Sequence, residues 1–184
     1  MVASMDGVDS VQTARLTGRP LKEVDFSDLR LLHSNPEVMA TLGGVRTPEE
    51  TQCFLKACCE HWQQHGFGLW AFREKHSMDF VGRGGLRKAT LEHGNEIELT
   101  YALSREYWGR GFATEMALAS IEVAFDVLYI SSLVALILEG NASSKKVIDR
   151  AGFRYERDVL WSGKSHQLYR LTRQGWDSLD PNHY

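Results

Sequence analysis

No apolar run in this chain approaches the ~20 residues that cross a bilayer. The longest, residues 133–138 (Leu-Val-Ala-Leu-Ile-Leu), has the length of one buried strand, so no membrane partner is expected. Cysteine is scarce. Cys53, Cys58 and Cys59 fall in one expected helix, an odd and crowded set with neither a disulfide framework nor metal-ligand spacing. They are expected to be reduced and buried in that helix. No block of one charge sign occurs either. Lysine plus arginine number 21 and aspartate plus glutamate 24, and the net charge of −3 is interspersed. A nucleic-acid partner needs a basic stripe, which this pattern lacks. Residues 1–14 have neither the basic start nor the apolar centre of a secretion signal, and are expected to form a flexible tail. Reduced thiols without a targeting segment point to the cytoplasm.

What is present suits one domain over residues 15–184, since a single core serves about 100–200 residues. A first strand is expected over 16–24, then a helix capped by Asp25 and broken at Asn35-Pro36. Thr47-Pro48-Glu49-Glu50 combines a capping threonine, a first-turn proline and a reciprocal glutamate, and so starts a helix that Gly66 can stop. Strand-like segments at 67–73, 80–86 and 97–103 suggest an antiparallel meander. A helix over 112–127, the buried strand at 133–138, a helix opened by Asn141, and strands at 153–159 and 166–172 complete the pattern. The expected class is α+β, one mostly antiparallel mixed sheet flanked by helices.

The most informative segment is the one joining a strand to a helix, Gly109-Arg110-Gly111-Phe112-Ala113. Glycines leave backbone N–H groups uncovered, and a helix start adds unpaired donors and a positive dipole end. Together they suit a phosphate, and Arg110 could add a charged contact. Spacing alone also permits a tight turn that simply needs glycine conformations. A dinucleotide fingerprint is excluded, because Thr114 stands where a third glycine belongs and no acidic partner follows at the right distance. A triphosphate loop is excluded by the missing lysine and following hydroxyl.

Tyr107-Trp108-Gly109-Arg110-Gly111-Phe112-Ala113-Thr114-Glu115 resembles the acetyl-coenzyme A loop of the GNAT-type N-acetyltransferases. The branch it resembles more closely is the ribosomal-protein-alanine-acetyltransferase-like (RimJ/RimL) one. Asn35-Pro36-Glu37-Val38-Met39, Gly66-Phe67-Gly68-Leu69-Trp70-Ala71 and Asn141-Ala142-Ser143-Ser144 are similar to other segments of that branch, in the same order. The resemblance runs from about residue 16 to 171. It implies a GNAT-like domain whose family strands 4 and 5 splay apart to admit the pantetheine arm of acetyl-CoA. The arm would pair with backbone near Tyr101, Ala102 and Leu103. Amides of Arg110, Gly111 and Ala113 would hold the pyrophosphate, with Gly109, Phe112 and Thr114 completing the loop site. Asn141 would contact the cofactor or fix the local backbone.

By the same resemblance, acetyl would pass directly from acetyl-CoA to a primary amine in a ternary complex, the amine being a protein N-terminus or a small molecule. An amine must lose a proton, and a departing thiolate gains from a nearby acid, although an ordinary thiol pKa near ~8.5 makes that acid helpful rather than essential. Glu98 is the expected base, with Glu96 competing because strand alternation puts both on one face. The family's usual tyrosine in the helix after its fifth strand is Ile148 here, and Ser144, four residues earlier on the same helical face, is the expected donor to the thiolate and a cofactor contact. Tyr101 is expected to pack. His61 and His65 have i, i+4 spacing without a zinc-protease glutamate, so no metal is expected. The net charge slightly favours a cationic acceptor. A homodimer is left open, and the alternative function is a non-catalytic acyl-CoA-binding or sensory domain on the same fold.

Overall fold

The computed structural model describes residues 8–179. Eight strands form one sheet in the order β1-β2-β3-β4-β5-β6-β8-β7. They are β1 (Val11–Gln12), β2 (Leu16–Pro20), β3 (Leu69–Glu74), β4 (Phe80–Leu91), β5 (Gly94–Leu103), β6 (Ser132–Leu138), β7 (Arg154–Trp161) and β8 (Lys164–Thr172). Every neighbouring pair is antiparallel except β5 and β6, which are parallel and meet at a single register position, Glu98 opposite Val134. Beyond that point the two strands diverge, and the α+β class with a splayed mixed sheet is as expected.

Strand alternation divides the core. Trp70 and Phe72 of β3 join Leu99 and Leu103 of β5 in packing against α4 (Phe112–Glu122) and α5 (Ala142–Arg150). Leu69 and Ala71 face the other way, onto α1 (Phe26–Ser34), the single turn α2 (Pro36–Met39) and α3 (Pro48–His65). The α3 start has the expected reciprocal cap. Thr47 Oγ1 accepts from the Glu50 amide at 3.2 Å, and the Thr47 amide donates to Glu50 Oε2 at 2.8 Å. Gly66, at φ 69°, closes that helix in the left-handed conformation that glycine adopts without steric cost.

Several expectations are corrected. Residues 1–7 of the expected tail lie outside the described residues, but 8–14 belong to the fold. Val11 and Gln12 pair with β2, and the Trp70 indole donates to the Val8 carbonyl at 2.9 Å. Asp25 does not cap α1 with its side chain; its buried carboxylate accepts from Arg19 at 2.6 and 2.8 Å. Pro36 opens α2 rather than merely ending α1, with Asn35 as the cap. The helix expected over 112–127 changes to π geometry at Val123–Val127. A short α6 (Arg173–Asp177) follows β8 where no helix was expected. Among the cysteines only Cys58 is buried; Cys53 is exposed and Cys59 half-buried.

Candidate functional site

Where β5 runs on past its single pairing with β6, a cavity of about 500 Å³ opens between the end of β5, the glycine loop, α5 and the segment from α2 to Leu42. Gly109 at φ 73° and Gly111 at φ 81° hold the loop in the left-handed region, where an L side chain is strained. Gly111 is also the N-cap of α4 and offers no capping side chain. The first amides of α4 therefore have no intrahelical partner, as at any helix start. The amides of Gly109 and Gly111 likewise donate to no described backbone group, while Arg110 closes the turn at Trp108 and Gly109. This is a cradle of N–H donors at a positive helix end, which fits a pyrophosphate.

The Arg110 side chain does not join it. Its Nη2 donates to Glu74 at 2.9 Å and its guanidinium stacks 4.8 Å from the centroid of the Phe112 ring. Below the loop, Glu115 accepts from Thr13 Oγ1 at 2.5 Å and from the Arg15 amide at 2.8 Å, which locks the N-terminal segment under α4.

Of the residues expected at the cofactor, Tyr101, Ala102, Leu103, Gly109, Gly111, Phe112, Ala113, Thr114, Asn141 and Ser144 all line this cavity. The edge of β5 that faces the splay has no sheet partner past Glu98. The Leu103 carbonyl, however, already accepts from the Trp108 indole at 3.0 Å, and Ala102 is turned toward Arg83 of β4, which leaves Tyr101 as the freer backbone. Asn141 fixes local structure. Its Oδ1 accepts from the Ser144 amide at 3.1 Å, and its Nδ2 donates to Thr41 at 3.0 Å, tying α5 to the loop after α2.

Tyr101 is more than packing. Its hydroxyl lies 2.9 Å from Ser144 Oγ and 3.2 Å from the Ser144 carbonyl, so its one proton can go to either oxygen. Burial pushes the Tyr101 phenol up to about 12, against a smaller opposing effect of its Ser144 hydrogen bond, so the pair stays protonated at neutral pH. Ser144, Tyr101 and Asn141 also border a smaller adjoining cavity of about 40 Å³ that reaches Glu98. Glu98 is 4% exposed, and its Oε2 accepts from Arg87 Nε at 2.7 Å. Glu96 is held by two hydrogen bonds from Arg170, at 2.7 and 3.0 Å, and borders neither cavity.

Sequence reasoning missed other parts of the wall. Thr41 and Leu42 border both cavities, and Lys146 and Arg150 line the larger one. The helical spacing of Lys146 and Arg150 after Asn141 was the available signal; Thr41 and Leu42 sit in a loop with no periodicity. Burial pushes the Cys58 thiol up to about 11, which leaves it a poor nucleophile. His61 joins α3 to the sheet, with Nδ1 on the Phe67 carbonyl at 2.8 Å and Nε2 accepting from the Lys88 amide at 3.2 Å.

Comparison with known proteins agrees with this geometry. The profile of the family described as "Acetyltransferase (GNAT) domain" matches residues 15–154. The chain is 26% identical over 166 residues to the uncharacterized protein YkkB of Bacillus subtilis, covering 90% of this chain and 96% of that one. The crystal structure of an acetyltransferase from Agrobacterium tumefaciens superposes with a TM-score of 0.79 at 26% identity, covering 89% of this chain and 94% of the other. An aminoglycoside acetyltransferase, AAC(6')-Ib, solved in complex with coenzyme A, shares the fold with a TM-score of 0.72 at 14% identity, covering 88% and 97%.

Proposed function

The chain belongs to the GNAT acetyltransferase family, and from that premise we propose that it moves an acetyl group from acetyl-CoA to a primary amine by direct transfer in a ternary complex. The residues present fit the donor: a cradle of free amides for the pyrophosphate, an unpaired strand edge for the pantetheine arm, and a cavity of about 500 Å³ that both border. Lys146 and Arg150 on the cavity wall add positive charge suited to the remaining phosphate. When bound, acetyl-CoA supplies the thioester that the amine attacks.

The observation that carries the proposal is the Tyr101–Ser144 hydroxyl pair, set between the glycine loop and Glu98. Ser144 Oγ–H donates a hydrogen bond toward the leaving sulfur, and Tyr101 O–H in turn donates to Ser144 Oγ. Two protonated hydroxyls in sequence stabilise a thiolate without having to ionise. Glu98 acts as the base. Its Oε2 is fixed by Arg87, while Oε1 has no partner among the described residues and is left to take a proton from the ammonium, directly or through one water. Glu96 is the weaker candidate because Arg170 occupies both of its oxygens.

Within the family, the Tyr107-Trp108-Gly109-Arg110-Gly111 run supports the ribosomal-protein-alanine-acetyltransferase-like (RimJ/RimL) branch, acting in the cytoplasm. Among the described residues no helix is long and apolar enough to cross a membrane. Calorimetric titration with acetyl-CoA, followed by thiol release with a panel of amines, tests the function. Binding in the micromolar range and amine-dependent thiol release are expected. Absence of binding at millimolar acetyl-CoA refutes the proposal, and binding without release to any amine favours the non-catalytic acyl-CoA-binding alternative.

A further inference from the structure

On the sheet face opposite the Tyr101–Ser144 pair, positive charge exceeds what its described neighbours neutralise. In the β4–β5 register Arg83 stands opposite Ala102, Gly85 opposite Thr100, and Arg87 opposite Glu98. Alternation puts Arg83, Arg87 and Glu98 on one face, with bare Gly85 between the arginines. Arg83 is 3% exposed, and its Nε has no hydrogen-bond partner among the described residues. No described carboxylate forms an ion pair with it, since Glu98 is engaged by Arg87. Its guanidinium instead stacks 4.6 Å from the centroid of the Phe54 ring of α3, and Arg46 stacks on the same ring at 4.6 Å.

His33 does not cancel this charge. Burial, helped by Arg83 and Arg46, pushes it down to about 3, so it is neutral. Its Nε2 lies 3.4 Å from Arg46 Nη1, placed to accept, and Nδ1 lies 3.2 Å from Thr51 Oγ1. It orients Arg46. Arg46 and Arg83 thus share one Phe54 ring while the buried carboxylate of Glu98 is taken by Arg87. Burying an uncompensated cation is costly, and an apolar side chain of similar volume fills such a space more stably. Burial pushes Arg83 down to about 9, which still leaves it charged at neutral pH and short of a counterion.

We propose that Arg83 and Arg46, bordered by Arg87, form a subsite for the anionic group of the acceptor, and that the acceptor is a small amine that also carries a carboxylate. The inference rests on the acetyl-transfer function above and names its substrate class. The ammonium faces the free oxygen of Glu98 while the carboxylate takes the fork of Arg83, whose planar donors match a carboxylate's two oxygens. Half-buried Arg46 and Arg87 are the more exposed members of the cluster, and Thr100, which stands opposite Gly85 between the two β4 arginines, borders the smaller cavity together with Glu98. The net charge of −3 argues for a cationic acceptor, but a ligand responds to the local field, which here has the opposite sign.

The test uses the full chain saturated with acetyl-CoA, so that the loop amides are already filled. Calorimetry with acetyl-CoA comes first; its failure sinks the function but not the anion site. Sodium acetate is then titrated while the arginine Nε–H resonances are followed by NMR, assigned with R83K. A saturable shift of the Arg83 signal supports the subsite, and no shift up to ~100 mM acetate overturns it. Thiol release is finally compared for ω-amino acids and dipeptides against their amides. The acids are expected to exceed the amides at least tenfold in kcat/KM. R46Q, whose side chain lies at the rim, is expected to erase that preference by raising the KM for the acid while the acetyl-CoA affinity stays unchanged. If no acid is preferred over its amide, the proposed substrate class is wrong.

Discussion

Tyr101 and Ser144 stand 43 residues apart in the chain, yet their hydroxyls meet at 2.9 Å because β5 and α5 enclose the same cavity. Removing either hydroxyl leaves the cavity walls in place. Ser144→Ala and Tyr101→Phe are therefore each expected to lower kcat about tenfold while acetyl-CoA affinity changes less than about twofold. Steady-state kinetics beside calorimetry separates the two effects, and an unchanged kcat would remove the pair from the mechanism. His33 gives a second prediction at this scale. Its folded pKa of about 3 lies below the ordinary 6.5, so the unfolded chain binds more protons between those values. Its contribution is complete above about pH 6.5 and is lost as pH falls toward 3. Stability should drop by about 2 kcal/mol between pH 7 and 5 from this group, and His33→Gln should flatten that part of the curve in urea unfolding.

The elements that present the site are stabilised by local chemistry. Thr47 and Glu50 satisfy donors at the start of α3, the helix that roofs the arginine cluster with Phe54. Thr47→Ala is expected to cost about 1 kcal/mol, seen as a lower urea midpoint with unchanged slope. The junction of loop and α4 depends on Gly111 at φ 81°, where a β-branched residue is strained by about 1–3 kcal/mol. Gly111→Val should weaken acetyl-CoA binding more than about tenfold, because relief of that strain turns the amides of the cradle. Full affinity by calorimetry would show that the phosphates bind elsewhere. Both elements were legible in sequence, as a capping box and as spaced glycines before a helix. The strand Val11–Gln12 was not, since two residues carry no periodicity and gain their place only by pairing with β2.

At the scale of the molecule, the site is the gap where one sheet stops pairing, with different helices on its two faces. A ligand that fills such a gap links elements from both faces and stabilises only the folded state. Acetyl-CoA at 100 times its Kd should add about 2.7 kcal/mol, raising Tm by roughly 5–10 °C for a chain of this size. Differential scanning calorimetry with and without the ligand measures this, and an unmoved Tm under saturation contradicts binding in the splay.

The sequence by itself determined the α+β class, the glycine loop, most helix starts and many of the residues that line the main cavity, because these follow from short-range spacing and backbone preference. Tertiary structure decided the rest. It turned the Arg110 side chain away to Glu74, made Tyr101 a partner of Ser144, and distinguished Glu98 from Glu96 by what each faces. It also brought Arg46 and Arg83 onto one Phe54 ring, with Arg87 on Glu98 nearby, a concentration of charge invisible in a chain whose total is −3. Charges and hydroxyls act through distance in space, and only the packing of the sheet against its helices sets that distance.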